Sequence, residues 1–246
     1  MPTPTYPRQN SLPQFGPFDG ALLVDKPTGW TSHDVVAKIR GQFKIKKVGH
    51  SGTLDPNATG LLTLLLGKGT KLSNKLMSAD KVYEGEVKFG EATDSYDADG
   101  ELTASLPVPP LTLEELNEAT KSFTGDQMQI PPMVSAVKKD GVPLYKLARK
   151  GQEVERDPKL IHIYKFAFDY YEQPYGRCTV SCTKGTYVRS LAHELGEKLG
   201  CGAHLSALRR TSSGNLKVED STPLDELLKL DVKELEKKVI PILQLV

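Results

Sequence analysis

The stretch "VGHSGTLDPNATGLLTLLLG", residues 48–67, places one carboxylate, Asp55, between a glycine-spaced turn and a run of leucines. Aspartate before proline starts turns readily, because proline keeps the preceding residue out of helical backbone conformation. Asp55 can therefore be a solvated loop carboxylate or a reactive one held at the lip of a core. The apolar run of residues 61–66 is bounded by Gly60 and Gly67. That length suits a buried strand better than a helix, although periodicity alone does not separate the two.

The flanking sequence alternates between strand and helix signals. Residues 21–24 read as a short apolar strand. A turn follows, then a helix starting at Thr31 or Ser32, where Thr31 and Asp34 form a capping box. Val35, Val36, Ile39 and Phe43 recur there at helical spacing. In "KVYEGEVKFG" (residues 81–90), Tyr83, Val87 and Phe89 share one face and Glu84, Glu86 and Lys88 the other, the two-residue period of a strand. Thr112 and Glu115 box a second helix that Gly125 stops, and Asp140-Gly141 turns a hairpin that leads into a short helix. "LIHIYKFAFDYY", "RCTVSC" and "AHLSALRRTSSG" read as strands. "GTYVRSLAHELGEKLG" reads as a helix capped by Thr186, with Val188, Leu191, Leu195 and Leu199 on its inner face. The C-terminal end reads as mostly helical. No repeating βαβ period appears, so the fold class is α+β: a mixed, largely antiparallel sheet with flanking helices.

Composition excludes several classes. No apolar run is long enough to span a membrane. Residues 1–19 are rich in proline and polar side chains, without a signal-peptide layout, and read as a flexible arm. Three cysteines are too few and too odd in number for a disulfide framework, which suits a reducing, cytoplasmic setting. Net charge is +1, but residues 38–47 hold five basic side chains and no acidic one. This segregation fits a basic face for a polyanion and an ordinary solvated mosaic equally. Gly67-Lys68 lacks the spacing of a phosphate-cradling loop. "SYDADG" lacks the terminal ligands of a calcium loop. Cys178, Cys182, Cys201 and His204 lack zinc knuckles and read as buried thiols with a stray histidine. The closeness of His50, Ser51 and Asp55 in sequence is poor evidence for a catalytic triad, which is a spatial arrangement.

"GHSGTLDPNATGLL" closely resembles the catalytic motif of the TruB family, the tRNA pseudouridine-55 synthases. "LLVDKPTGWTSHDVV", "KVYEGEVKFGEATDSYDADG" and "KGTYVRSLAHELGEKLGCGAHLSALRRTSSG" resemble further motifs of that family in the same order, over residues 20–224. The resemblance implies a pseudouridine synthase fold with a central RNA-binding cleft. It implies a catalytic domain at residues 20–224, with a thumb-like loop at about residues 130–159. The tail, residues 225–246, is expected to be short and helical, with no PUA-type RNA-binding domain. The implied reaction flips the T-loop uridine at tRNA position 55 out of its stack and isomerises it to pseudouridine. No cofactor and no metal are implied, nor any protein partner, and the enzyme is expected to be a cytoplasmic monomer that binds the tRNA T arm. Residue by residue, Asp55 matches the nucleophile, Arg189 its guanidinium partner and Tyr83 the ring that stacks on the base and helps with the C5 proton. His50 matches the residue beside the flipped base, and Tyr187 and Leu208 match base contacts. Lys26, Arg209 and Arg210 are candidate phosphate contacts. Ser51 stands where the family usually has threonine. An RNA chaperone without chemistry and a guide-RNA-dependent synthase remain as other readings. The sharpest expectation is that Arg189 lies within salt-bridge reach of Asp55, with Tyr83 in the same cleft.

Overall fold

The computed structural model describes residues 15–245. The proposed arm at residues 1–19 therefore lies largely outside the described residues. In chain order the first elements are β1 (Gly20–Lys26), α1 (Ser32–Gln42), β2 (Val48–His50), β3 (Thr59–Leu66), α2 (Ser73–Met77), β4 (Lys81–Phe89), β5 (Glu91–Thr93) and β6 (Leu102–Ser105). Next come α3 (Leu113–Thr120), β7 (Gly125–Gln129), β8 (Lys138–Lys139), β9 (Val142–Pro143), α4 (Leu144–Ala148), β10 (Lys159–Glu172) and β11 (Tyr175–Cys182). The last are α5 (Val188–Lys198), β12 (Ala203–Ser213), β13 (Leu216–Lys217), β14 (Thr222–Pro223), α6 (Leu224–Leu227), α7 (Val232–Lys238) and β15 (Ile240–Pro241).

One sheet organises the molecule, in the order β14-β1-β3-β12-β4-β11-β10-β7, with β2 on β3, β13 on β12 and β15 on β1. Its pairs are antiparallel except β1 with β14 and β3 with β12. This is the mixed, largely antiparallel α+β architecture expected from the sequence. The leucines of β3 show no alternation because both faces of that strand are covered. Leu62, Leu64 and Leu66 pack with Val35 and Ile39 of α1, while Leu61 packs with Leu23 and Val218 on the other side. A second cluster lies between α3, α5 and strands β4, β10, β11 and β12. Tyr83 and Leu208 touch both clusters. They mark the seam between the two cores, where a cleft can open without cutting either one.

The capping boxes at Thr31 and Thr112 form as expected, each with reciprocal bonds. The expected cap of α5 does not. Tyr187 is its N-cap and makes no side-chain cap bond, while the Thr186 hydroxyl donates to Thr183 O at 2.9 Å. The backbone of Tyr187 is held instead from β7. Gln129 Oε1 accepts from Tyr187 N (2.8 Å), and Gln129 Nε2 donates to Tyr187 O (3.1 Å). Residues 224–245 dock on the first core rather than projecting from it. Leu224, Leu227, Leu235 and Val239 join the α1 cluster, and β14 and β15 both pair with β1.

Gly60 is required where β3 meets β12. Its φ is +94°, and a Cβ there would sit 2.3 Å from Arg210 O. Gly60→Ala is therefore expected to destabilise the protein by roughly 3 kcal/mol, from backbone strain together with the steric clash. Urea denaturation would read this as a lower midpoint at unchanged slope. An unchanged midpoint would contradict the parallel contact between β3 and β12.

Candidate active site

The segment between β2 and β3, residues 51–58, has no regular structure of its own, so its carbonyls need partners from elsewhere. Lys26, with no exposed surface, ends β1 beneath it. Lys26 Nζ donates to Pro27 O (2.9 Å), Trp30 O (2.7 Å) and Pro56 O (3.0 Å). Arg210, 3% exposed, reaches in from β12. Its Nε donates to Leu61 O (2.8 Å), Nη2 to Gly52 O (3.2 Å) and Nη1 to Thr53 O (3.4 Å). Ser32, in the first turn of α1, both donates to Leu54 O (3.1 Å) and accepts from Leu54 N (2.9 Å). Two buried cations and one hydroxyl thus hold the loop by its main chain and leave the Asp55 side chain unencumbered.

This arrangement corrects the assignment of Lys26 and Arg210 as phosphate contacts. Both are buried and donate to carbonyls of the loop or its flanks, and Arg210 also meets the Tyr83 phenol. Burial pushes the Lys26 ammonium down to about 8, against the pull of the Asp55 carboxylate. Arg209, the next residue on β12, points to the opposite face, as strand geometry demands. It forms a two-pronged pair with Asp25: Nη1 to Oδ1 at 3.0 Å and Nη2 to Oδ2 at 2.7 Å.

Arg189, in the first turn of α5, is 3% exposed and meets Asp55 as expected, with Nε 3.0 Å from Oδ2. Its Nη1 reaches Asp97 Oδ2 (3.2 Å) and Ser95 O (3.0 Å), and its Nη2 reaches Val134 O (2.9 Å). Asp97 is itself held by the Ser95 hydroxyl at 2.5 Å. The Asp55 carboxylate keeps 40% of its side-chain surface open to a cavity, although protein surrounds it at depth. Burial raises its pKa from the ordinary carboxylate value. Arg189 opposes that shift, Asp97 adds to it, and the net direction is upward. The guanidinium thus limits the rise without reversing it.

The cavity has a volume of about 680 Å³, and Asp55, Tyr83, Tyr187, Arg189, Leu208 and Arg210 line it together with Lys81 and Lys184. That volume lies within the range of small-ligand clefts, about 300–1,000 Å³. Burial raises the Tyr83 phenol, against the pull of Arg210, so it stays protonated at neutral pH. His50 and Arg209 do not line this cavity. His50 stands edge-on to His33, with ring centroids 5.4 Å apart, and its Nδ1 accepts from Gly52 N at 3.3 Å. Its pKa is lowered by burial and by His33. Among the described residues no cluster of His, Cys, Asp or Glu is arranged to hold a metal ion, and the three cysteines are free and buried. No helix there is long and apolar enough to cross a membrane.

Three residues at the site carry no assigned role in the sequence. Asp97 lies in the "SYDADG" segment, set aside there as an incomplete calcium loop. Ser32 is hidden beside the capping threonine. Gln129 is a polar residue on the inward face of a strand, a weak signal that something across from it needs a partner.

Comparison with known proteins places the chain. Residues 40–188 match "TruB family pseudouridylate synthase (N terminal domain)", and residues 189–246 match "tRNA pseudouridylate synthase B C-terminal domain". A tRNA pseudouridine synthase B of Opitutus terrae is 55% identical over 92% of this chain and 94% of its own length. One of Geobacter sulfurreducens is 47% identical over 87% of this chain and 70% of its own length. Among solved structures, a chain of a Cbf5-Nop10-Gar1 complex superposes with a TM-score of 0.72 at 29% identity. The match covers 92% of this chain and 60% of the length of that one. The chain belongs to the TruB family of pseudouridylate synthases, enzymes of the isomerase class, and has their fold.

Lys26→Met gives a direct check on the buried clamp. Replacing a lysine on a phosphate-binding surface changes stability by about 0.5 kcal/mol or less. Here the substitution strips three carbonyls of a charged donor and should cost about 2–5 kcal/mol. A fall in Tm of roughly 5 °C or more is expected in a thermal melt. A melt indistinguishable from wild type would return Lys26 to the surface.

Proposed function

We propose that this chain converts the T-loop uridine at position 55 of tRNA to pseudouridine, with Asp55 as the nucleophile. The observation that supports this most is the ion pair between Asp55 and Arg189 on the wall of a cavity that Tyr83, Tyr187 and Leu208 also line. Substrate and product are isomers. The bond between C1′ and N1 breaks, a bond between C1′ and C5 forms, and the C5 proton is exchanged for one at N1. The balance needs no oxidant, reductant or energy donor. A carboxylate close to C1′ and C6 can hold one half of the nucleotide covalently while the base turns, the logic shared with retaining glycosidases. The bond from Asp55 forms at one of these two carbons. Once the base turns and C5 joins C1′, the bond to Asp55 breaks and the carboxylate is regenerated.

A base inside an RNA stack cannot reach Asp55, so the target is extruded into the cavity. In this reading the Tyr83 ring stacks on it and Leu208 packs against it. The phenol, protonated at neutral pH, acts as a hydrogen-bonding group, and a phenolate taking the C5 proton would be its minor form. In the same reading Tyr187, whose backbone Gln129 fixes, contacts the base edge. His50 acts outside the cavity, at the opening left by the extruded base. Lys184 lines the same cavity and is exposed, so it is better placed for the RNA backbone than the buried Lys26 or Arg210. The segment at about residues 130–159 serves as the thumb over the T arm. The enzyme works as a cytoplasmic monomer and needs no cofactor. A guide-RNA-dependent synthase is less well supported, since the 55% identical relative is named for tRNA and matches over nearly its full length.

Asp55→Asn is expected to lower the rate of pseudouridine formation on an unmodified tRNA transcript by at least ~10³-fold, the scale for loss of a covalent nucleophile. Its stability should follow the sign of the pKa shift. The folded carboxyl lies above its unfolded value, so its favourable contribution is present at low pH and is lost as pH rises through the folded pKa. At neutral pH the asparagine chain should therefore melt no lower than wild type, with its affinity for RNA largely kept. Normal turnover by this variant would refute the reading, and loss of both fold and binding would make the role of Asp55 structural, through its ion pair with Arg189.

Tyr83 separates stacking from proton transfer. Tyr83→Phe keeps the ring and should retain most of the affinity. Tyr83→Ala should lose about 1–3 kcal/mol of binding, the value of one base stacked on an aromatic side chain. Equal losses in both variants, measured by gel shift with a T-arm stem-loop, would transfer the role from the ring to the hydroxyl.

A further inference from the structure

We infer that Arg156 is a positioning residue for catalysis, which ties the root of the 130–159 segment so that the Val134 carbonyl meets Arg189. The inference rests on the assignment of Asp55 as the nucleophile. Residues 152–158, where the segment returns to the sheet, form no helix or strand. Arg156 lies there with only 17% of its side chain exposed. Its Nη1 crosses to the outgoing limb and donates to Pro131 O at 3.2 Å, while its Nη2 meets Glu153 Oε1 at 3.1 Å. One side chain thus closes the loop at its base.

Three residues beyond Pro131, Val134 O accepts from Arg189 Nη2 at 2.9 Å. On its other side Ser135 O is held by Tyr145 N at 3.0 Å. The Val134 carbonyl is therefore fixed between two anchors, one of which is Arg156. The Nε of Arg156 is buried and has no hydrogen-bond partner among the described residues. A buried, unsatisfied donor is costly, and a solvated surface arginine would avoid that cost by turning outward. The guanidinium stays where Pro131 O is.

The consequence reaches the carboxylate through a single group. Arg189 has almost no exposure, so each N–H left without an acceptor must find another. If the outgoing limb loosens, Nη2 loses Val134 O, the guanidinium re-aims, and Nε withdraws from Asp55. The charged groups facing Asp55 are Arg189 from α5, Lys26 from β1, and Asp97 and Asp99 from the turn after β5. Two of the four are acidic, so a weaker Arg189 contact leaves Asp55 harder to ionise. Tyr83 and Tyr187, also near Asp55, are neutral at working pH.

The test is steady-state turnover of an unmodified tRNA transcript across pH, with Asp55→Asn as the inactive control. Arg156→Gln should lower kcat at saturating RNA by at least ten-fold and move the acid limb of the rate profile to higher pH. Arg156→Lys, which can still donate to Pro131 O, should recover much of both. Arg156→Met, of similar volume without donors, replaces the glutamine variant if that chain does not fold. A change in KM alone, an unmoved acid limb, no recovery with lysine, or failure of both variants to fold would overturn the inference. Turnover by Asp55→Asn would instead overturn the assignment of the nucleophile, which separates the two failures.

Discussion

A buried guanidinium must find acceptors for a rigid fork of N–H donors, and Arg189 finds them on three different segments. They are the carboxylate of Asp55, the Asp97 carboxylate with the Ser95 carbonyl, and the Val134 carbonyl. That single requirement fixes the relative positions of the loop before β3, the turn after β5 and the segment after β7. Each is irregular, and Arg189 adds a bond from outside to each. Helix α5 supplies the rigidity: Leu191 and Leu195 are wholly buried in the second core, so the first turn of the helix cannot drift.

The loop that carries Asp55 is built on the same principle. Lys26 and Arg210 are cations with essentially no exposed surface, and they bind carbonyls rather than carboxylates. Burying them costs desolvation free energy, offset by several charge-assisted bonds each. The return is a main chain fixed from below and from the side while the Asp55 carboxylate faces an open cavity. A carboxylate so placed is raised in pKa and is less stable ionised than it would be in water. This is the kind of local conflict expected at a functional site, where the surrounding fold compensates for it.

Much of this was legible in residue pattern. The alternation of β4, the capping boxes at Thr31 and Thr112, and the inner stripe of α5 are local signals, and each formed where the local chemistry required. The meeting of Asp55 and Arg189 came from family resemblance, because two residues so far apart in sequence leave no periodic trace. Lys26 and Arg210 are buried against type: lysine and arginine are rarely so, which is why the sequence alone points to a surface role for them. The residue type of Thr186 favours a helix cap, but the helix starts one residue later at an N-cap of Tyr187, whose backbone a glutamine from β7 holds. Asp97 lies in a segment that matches part of a metal loop, and only the fold brings its carboxylate to a guanidinium.

The central claim is that Asp55 is a half-buried carboxylate whose ionisation is limited by desolvation and sustained by Arg189. Carbon-13 NMR of the Asp55 carboxyl, titrated in the wild-type chain and in Arg189→Gln, tests it most directly. The account predicts a midpoint above the ordinary aspartate value of about 3.9 in the wild type, and a further rise when the guanidinium is removed. A midpoint at or below that value, or one that does not respond to the loss of Arg189, would contradict it.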